Sequence, residues 1–320
     1  MPFMDVRQLR YFVGSVRAGS LSRAADQLHV AQSALSHHLG ALEVELDREL
    51  VVRGPKGIVL TEAGSVLYRH AEAILRHLES AKQATRNALN LPSGRVSIGF
   101  PTVLVPILGY ELFVRIRTAH PQIALHLSDT NSWILRERLV NGRLDVALLY
   151  LAQPERGLAV EPLLLEELFY VTADPDTSPI RIADVAERPL LLPTPGSCSR
   201  HVAEEAFNKH GLTPTPVAEI DGVGILRRII ASGMGNAIMP RSALYDSERT
   251  VPLNYRRFAD AKLVQLVALC FSDAGQCGPA VEAVAEILKA LVYELAESGT
   301  WQGVSVIKPS RKLGHALLPQ

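Results

Sequence analysis

At 320 residues with 48% hydrophobic side chains, the chain is too long for one small core and long enough for two or three folding units. Lysine plus arginine and aspartate plus glutamate balance at 33 each, which excludes a general attraction to polyanions, so any nucleic-acid contact must come from a local surface. No run approaches the roughly 20 apolar residues of a membrane span, and the charged opening MPFMDVRQLRYF argues against a signal peptide.

The expectation is therefore a cytoplasmic protein without a membrane partner. Cys198, Cys270 and Cys277 are too few and too unevenly spaced for a disulfide framework or a paired-cysteine metal site. Neither a metal nor a cofactor is expected.

The first predicted element is a helix, because Val6, Leu9, Phe12, Val13 and Val16 recur at spacings of three and four. Gly19 ends it, and Ser20 or Ser22 caps the next. A short second helix buries Leu21, Ala24, Ala25 and Leu28. After a turn at His29 and Val30, a third helix aligns Leu35, Leu39, Leu42 and Leu46, completing a helix-turn-helix unit. Leu50 to Leu60 is β-prone at both ends with Gly54, Pro55 and Gly57 between, the pattern of a two-stranded wing.

Thr61 then serves as a plausible helix cap, with Glu62 favourably placed in the first turn. Leu67, Ala71, Ile74, Leu78, Ala81, Thr85 and Ala88 follow at alternating steps of four and three, a coiled-coil seam over about three heptads. Such a narrow stripe calls for a partner helix in a second copy of the chain. Packing on its own domain is the alternative. Leu91, Pro92, Ser93 and Gly94 break the pattern like a linker.

Beyond Gly94 short β-runs alternate with helices, the signature of α/β units. One lobe takes strands at Val96 to Phe100, Ile123 to Leu127 and Val146 to Leu151, with helices from Val103 to Thr118 and Trp133 to Asn141. A second lobe takes strands at Leu190 to Leu192, Val217 to Ile220 and Asn236 to Met239, with helices from His201 to His210 and Gly224 to Ser232. Strand Leu263 to Phe271 and helix Val281 to Leu295 return to the first lobe. The expected boundaries are 1–60 for the winged helix-turn-helix, 61–92 for the dimerisation helix and 93–298 for the two-lobed domain. Within the last, lobe 1 spans about 93–162 and 266–298 and lobe 2 about 163–265, leaving 299–320 as a flexible tail.

Opposite the leucine stripe of the third helix lie Ser33, Ser36, His37 and Gly40, with Gln32 in the first turn. Small polar side chains there fit a major groove, and Gln32 matches an adenine edge. Ser36, His37 and His38 reach bases or phosphates, while Arg53 and Lys56 on the wing hold the backbone or probe the minor groove. A solvated polar face is the bland alternative. The acids Glu43, Glu45, Asp47 and Glu49 sit toward the helix's far end, leaving Arg7, Arg10, Arg23, Arg53 and Lys56 to dominate the contact side.

RQLRYF, GSLSRAADQLHVAQSALSHHLGALEVELDREL and VRGPKGIVLTEAG resemble the N-terminus of LysR-type transcriptional regulators. The likeness continues through GRVSIG, LVNGRLDVALLY and IASGMGNAIMP, so it spans nearly the whole chain. LHVAQSALS, VLYRHAEAIL and VSIGF are most similar to the nitrogen assimilation control subgroup. The resemblance implies an α/β chain with an N-terminal winged helix-turn-helix, a long dimerisation helix and a C-terminal Rossmann-like domain of the type 2 periplasmic-binding-protein kind.

By that resemblance Ser22, Gln32, Ser33, Ser36, His37, His38, Arg53 and Lys56 are the DNA-binding candidates, although many family members have Pro at Ser33 and Arg-Gln-like pairs at His37 and His38. Dimers and tetramers that bend double-stranded operator DNA are implied as well, with RNA polymerase as a further partner and activation or repression as the outcome.

A small-molecule effector would bind between the lobes, where helix N-termini converge. Thr102, Asn131, Ser132, Ser197, Ser199 and Gly224 are the candidates, although each is also an ordinary helix cap. By resemblance Ser132 occupies a usual hydroxyl position, while Val103 is apolar where a hydroxyl is common; a vestigial pocket is the alternative. Cys198, beside a helix start, also fits a thiol redox sensor. An exported solute-binding protein or an enzyme on the same scaffold completes the alternatives, but there is no GxSxG elbow, phosphate loop, GxGxxG or HExxH.

Overall fold

The computed structural model describes residues 4–54, 57–86, 92–152, 157–245, 253–272 and 278–307. It divides into two compact units, Met1–Asn90 with Asn141–Arg143, and Leu91–Val140 with Leu144–Gln320.

The first unit opens with three helices, α1 (Val6–Ala18), α2 (Leu21–Leu28) and α3 (Gln32–Leu46). Asp5 starts α1 in a capping box, its carboxylate accepting from the Gln8 backbone while the Gln8 side chain accepts from the Asp5 N–H. Gly19 ends that helix at φ 64°, and His29 ends α2 at φ 54°, so both turns use the left-handed region. Phe12, Ala24, Leu35, Leu39 and Leu42 are buried together, each buried leucine contributing about 2 kcal/mol. Leu46, expected in the same stripe, is 38% exposed because α3 ends there and Asp47 turns the chain away.

The wing follows as β1 (Val51–Gly54) and β2 (Gly57–Leu60), antiparallel with Arg53 opposite Ile58. It is fastened to α1 by Ile58 N–H donating to Gly19 O at 3.0 Å. That close approach needs Gly57, where a Cβ would stand 2.2 Å from Gly19 O.

Helix α4 (Glu62–Arg86) is capped by Thr61, whose Oγ1 accepts from Gly64 N–H at 2.9 Å. Its first turns belong to the winged-helix core. Leu67 and Ala71 are buried against that core, which corrects their expected place at the start of the dimer seam. Further along, Ile74 is 41% exposed, Leu78 is half-buried and Ala81 is exposed. Ala88, the last expected seam position, lies outside the described residues.

The second unit is a mixed α/β domain with two lobes. In chain order it contains β3 (Gly94–Phe100), α5 (Val105–Ala119), β4 (Ile123–Asp129), α6 (Ser132–Val140), β5 (Val146–Leu151), β6 (Leu158–Thr172), α7 (Ile182–Ala186) and β7 (Leu190–Leu192). Then come α8 (Cys198–Lys209), β8 (Ala218–Glu219), α9 (Val223–Ala231), β9 (Asn236–Pro240), β10 (Asn254–Arg256), β11 (Val264–Ser272), α10 (Pro279–Glu297) and β12 (Val304–Val306). The strand order β4-β3-β5-β11-β6-β9-β7-β8 runs through both lobes, and β10 and β12 also pair with β6.

The hinge element is β6, absent from the sequence-based elements. Leu158 to Glu167 pair with β11 in lobe 1, and Leu168 to Val171 continue straight into lobe 2 against β9. The expected flexible tail also needs correcting from Gly299 to Ile307. Trp301 is buried in the lobe 1 core, and β12 pairs with β6 at Leu164 to Glu166. Residues 308–320 lie outside the described residues.

Candidate DNA-reading surface and effector cleft

On the winged head, α3 presents Gln32, Ser33 and His37 exposed, with Ser36 and Gly40 partly so. The leucines on the opposite face fix this orientation. Ser22 Oγ donates to Gln32 Oε1 at 3.0 Å, so a residue of α2 holds the Gln32 amide in place and leaves its N–H groups outward. Arg53 Nη1 donates to Ser36 Oγ at 3.2 Å, joining wing and helix on one face. Arg7, Arg10 and Arg23 are exposed, and no acid occupies the first turn of α3. The start of this helix therefore carries no acid of its own to compete with a phosphate.

His38 is less exposed than His37. It is half-buried and its ring lies edge-on to Tyr11, with centroids 5.1 Å apart, so it bonds α3 to α1 while His37 stays exposed. The acids at the helix's far end have internal work too: Glu43 Oε1 accepts from Leu50 N–H at 2.9 Å and Val51 N–H at 3.3 Å, anchoring the wing. Lys56 lies outside the described residues.

The second unit carries a cavity of about 100 Å³ between its lobes. From lobe 1 come the ends of β3, β4 and β5 with Thr102, Asn131, Ser132 and Tyr150; from lobe 2 come Ser197, Cys198, Ser199 and Asp221. Five of the six expected effector residues thus share one cleft. Gly224 is the exception: it is exposed on α9 and the wall there is made by Val223 and Leu226. Ser132 Oγ accepts from Tyr150 N–H at 3.1 Å, and Ser197 and Ser199 hydroxyls lie 3.0 Å apart, so each still has a proton or lone pair for a ligand.

Behind this wall lies a buried polar cluster that sequence reasoning missed. Glu166 on β6 is fully buried; Trp301 Nε1 donates to its Oε1 at 2.7 Å and Gln265 Nε2 to its Oε2 at 3.3 Å. Tyr150 and Ser242 hydroxyls are 3.3 Å apart beside it. Burial pushes the Glu166 carboxyl above its ordinary value, against the pull of these donors. The signal available in the sequence was one polar residue, Gln265, amid the apolar run of β11, directly across from Glu166 in register.

Cys198 is half-buried as a residue, lines the cleft and packs against the lobe 1 core. Burial first, and the nearby Glu166 charge second, push its thiol up to about 12. A thiol held neutral is a poor peroxide target, and the redox reading is not supported. Among the described residues, no group of histidine, cysteine and carboxylate side chains is placed to hold a metal. No described helix is long and apolar enough to cross a membrane.

Comparison with known proteins gives the same two parts. Residues 6–65 match the bacterial regulatory helix-turn-helix protein, lysR family, and residues 89–292 match the LysR substrate binding domain. The nitrogen assimilation regulatory protein nac of Escherichia coli K12 is 36% identical over 305 residues, covering 94% of this chain and 100% of that protein. Its namesake from Klebsiella aerogenes is 36% identical over 291 residues, covering 90% and 95%.

Among solved structures, full-length OxyR from Pseudomonas aeruginosa has a TM-score of 0.73 at 23% identity, covering 97% of this chain and 100% of that one. Full-length CbnR in complex with its target DNA has a TM-score of 0.61 at 20% identity, covering 90% and 100%. These two likenesses establish the fold. With both parts matched and a 36% identical relative covered over its full length, the chain belongs to the LysR family of transcriptional regulators.

Proposed function

We propose that this regulator reads operator DNA with α3 in the major groove and the wing on the flanking backbone, as a dimer or tetramer built through the outer half of α4. The observation that supports this most directly is the shared face of Gln32, Ser33, Ser36, His37 and Arg53, tied by the Ser22 and Arg53 hydrogen bonds. Ile74, Leu78 and Ala81 are the seam, since the earlier heptad positions are spent on the head's own core. The likeness to the nac proteins supports control of nitrogen assimilation genes. Action in the cytoplasm through contact with RNA polymerase, without chemistry of its own, completes the reading.

The cleft between the lobes is an effector site, in which Thr102, Asn131, Ser132, Ser197 and Ser199 meet a small molecule. Occupancy changes lobe closure through β6, and so the spacing of the DNA-reading heads and the bend they impose. Sequencing of genomic fragments co-precipitated with the chain tests the reading, together with a salt-dependent gel shift on those fragments. Enrichment of upstream regions of nitrogen-utilisation genes is the expected result. A chain that remains monomeric and ignores every duplex at low salt would sink it.

A further inference from the structure

The cleft wall is short of positive charge. Among the described residues that line it, Asp221 is the only one with an ionisable carboxylate or basic side chain, and the Glu166 carboxyl lies behind Gln265. An anion entering here would meet the Asp221 carboxylate and, among the described lining residues, no arginine, lysine or histidine. Donors are still present: the hydroxyls of Ser132, Ser197 and Ser199 line the cleft where α6 and α8 begin.

Gln265 supplies the complementary half. It is 1% exposed and lines the cleft. Gln265 turns Nε2 toward Glu166, and its buried Oε1 has no hydrogen-bond partner among the described residues. A buried acceptor left unpaired costs stability, and a ligand N–H relieves that cost. Gln265 is itself one of the residues lining the cleft, so its acceptor belongs to the same site as the serine donors.

Resting on the effector-cleft reading above, we infer that the cleft selects an uncharged ligand bearing a primary carboxamide, its N–H groups given to Gln265 Oε1 and its carbonyl accepting from the serine hydroxyls. Carboxylates, the anionic choice that helix N-termini alone would favour, are rejected. One end of the ligand is read by an acceptor and the other by donors, so neither an acid nor a ketone of the same shape satisfies both.

Three probes share one heavy-atom skeleton: propionamide, propionate and butanone. Titrated into the full-length chain by ligand-observed NMR, propionamide should bind about tenfold or more tightly than either of the others. Gln265→Met keeps the volume and removes the acceptor, and should bring the three affinities within about threefold of each other. Circular dichroism and operator gel shift confirm that this variant folds. If it does not, the butanone comparison in the natural chain decides the point without it.

Propionate binding as well as propionamide, or butanone doing so, overturns the carboxamide assignment while leaving an effector cleft in place. A preference unchanged in folded Gln265→Met overturns it too. If none of the three binds up to about 100 mM, the carboxamide assignment fails, while the effector-cleft reading is decided by the genomic-fragment and gel-shift experiments above.

Discussion

Trp301 Nε1 donates to Glu166 Oε1 at 2.7 Å, with both residues essentially sealed from solvent. The bond ties the segment after α10 to the strand that runs through both lobes. Trp301→Phe keeps an aromatic ring, smaller than the indole, and deletes the donor, leaving a buried carboxyl short of one partner and a small void beside it. Stability should fall by about 2 kcal/mol in urea unfolding followed on the full chain. A change within error would mean that Glu166 finds a replacement donor.

The same carboxylate sets a pH dependence. Burial raises the folded pKa of Glu166 above its ordinary value of 4.5, so the folded state holds the proton more tightly than the unfolded one. Its contribution to stability is fully present below about pH 4.5 and is lost as pH rises through the folded pKa. Glu166→Gln removes that decline while keeping the acceptor for Trp301. The variant should therefore gain on the natural chain as pH is raised from about 4.5 to 8. Parallel stability curves across that interval would show that the donors, not burial, dominate at this site.

How far the chain could be read beforehand depended on whether each pattern was local. Helix α3, its polar face and the wing follow from leucine spacing and glycine positions a few residues apart, and the structure assembles Gln32, Ser36 and Arg53 as that spacing implied. The stripe from Leu67 was ambiguous because a 3.5-residue period over a few turns looks alike whether the neighbour is a second chain or the helix's own domain. Its first two members are core, and only the later ones face outward. Strand β6 escaped notice since Pro162, Glu166 and Glu167 break its alternation, and its apolar end is buried on both faces. Trp301 gave no periodic signal at all: one large side chain among Gly299, Thr300, Gln302 and Gly303 fills its site through contacts made far away in sequence.

The outer half of α4 separates core from seam by experiment. Leu67→Glu places a charge in the head's own core and should unfold that head at a cost of about 3 kcal/mol or more. Ile74→Glu falls on an exposed position and should leave head helicity intact while lowering the sedimenting mass toward that of one chain. An unchanged mass for Ile74→Glu would move the dimer contact off this helix.

Cys198 should be inert. With its thiol pushed up to about 12 from an ordinary 9.0, the thiolate fraction near neutral pH drops about a thousandfold. Alkylation by iodoacetamide at pH 8 should run at least about a hundredfold slower in the folded chain than in urea, as read by mass spectrometry of the Cys198 peptide. Operator binding should survive mild peroxide. Rapid modification of folded Cys198 would restore a redox role.

Under the proposed docking, in which Gln32 meets base edges and Arg53 the backbone, the two should fail differently when each is replaced by alanine. Gln32→Ala removes a side chain whose orientation is already set by Ser22, so it should cost about 1 to 3 kcal/mol on the best operator and much less on unrelated DNA. Arg53→Ala takes away one cation on the wing. It should weaken binding to all duplexes alike and reduce the slope of log affinity against log salt by about one. Gel shifts at several salt concentrations, on operator and scrambled DNA, distinguish the two. If Gln32→Ala loses affinity equally for both duplexes, the α3 N-terminus is positioning the protein on phosphate and sequence must be read elsewhere on the head.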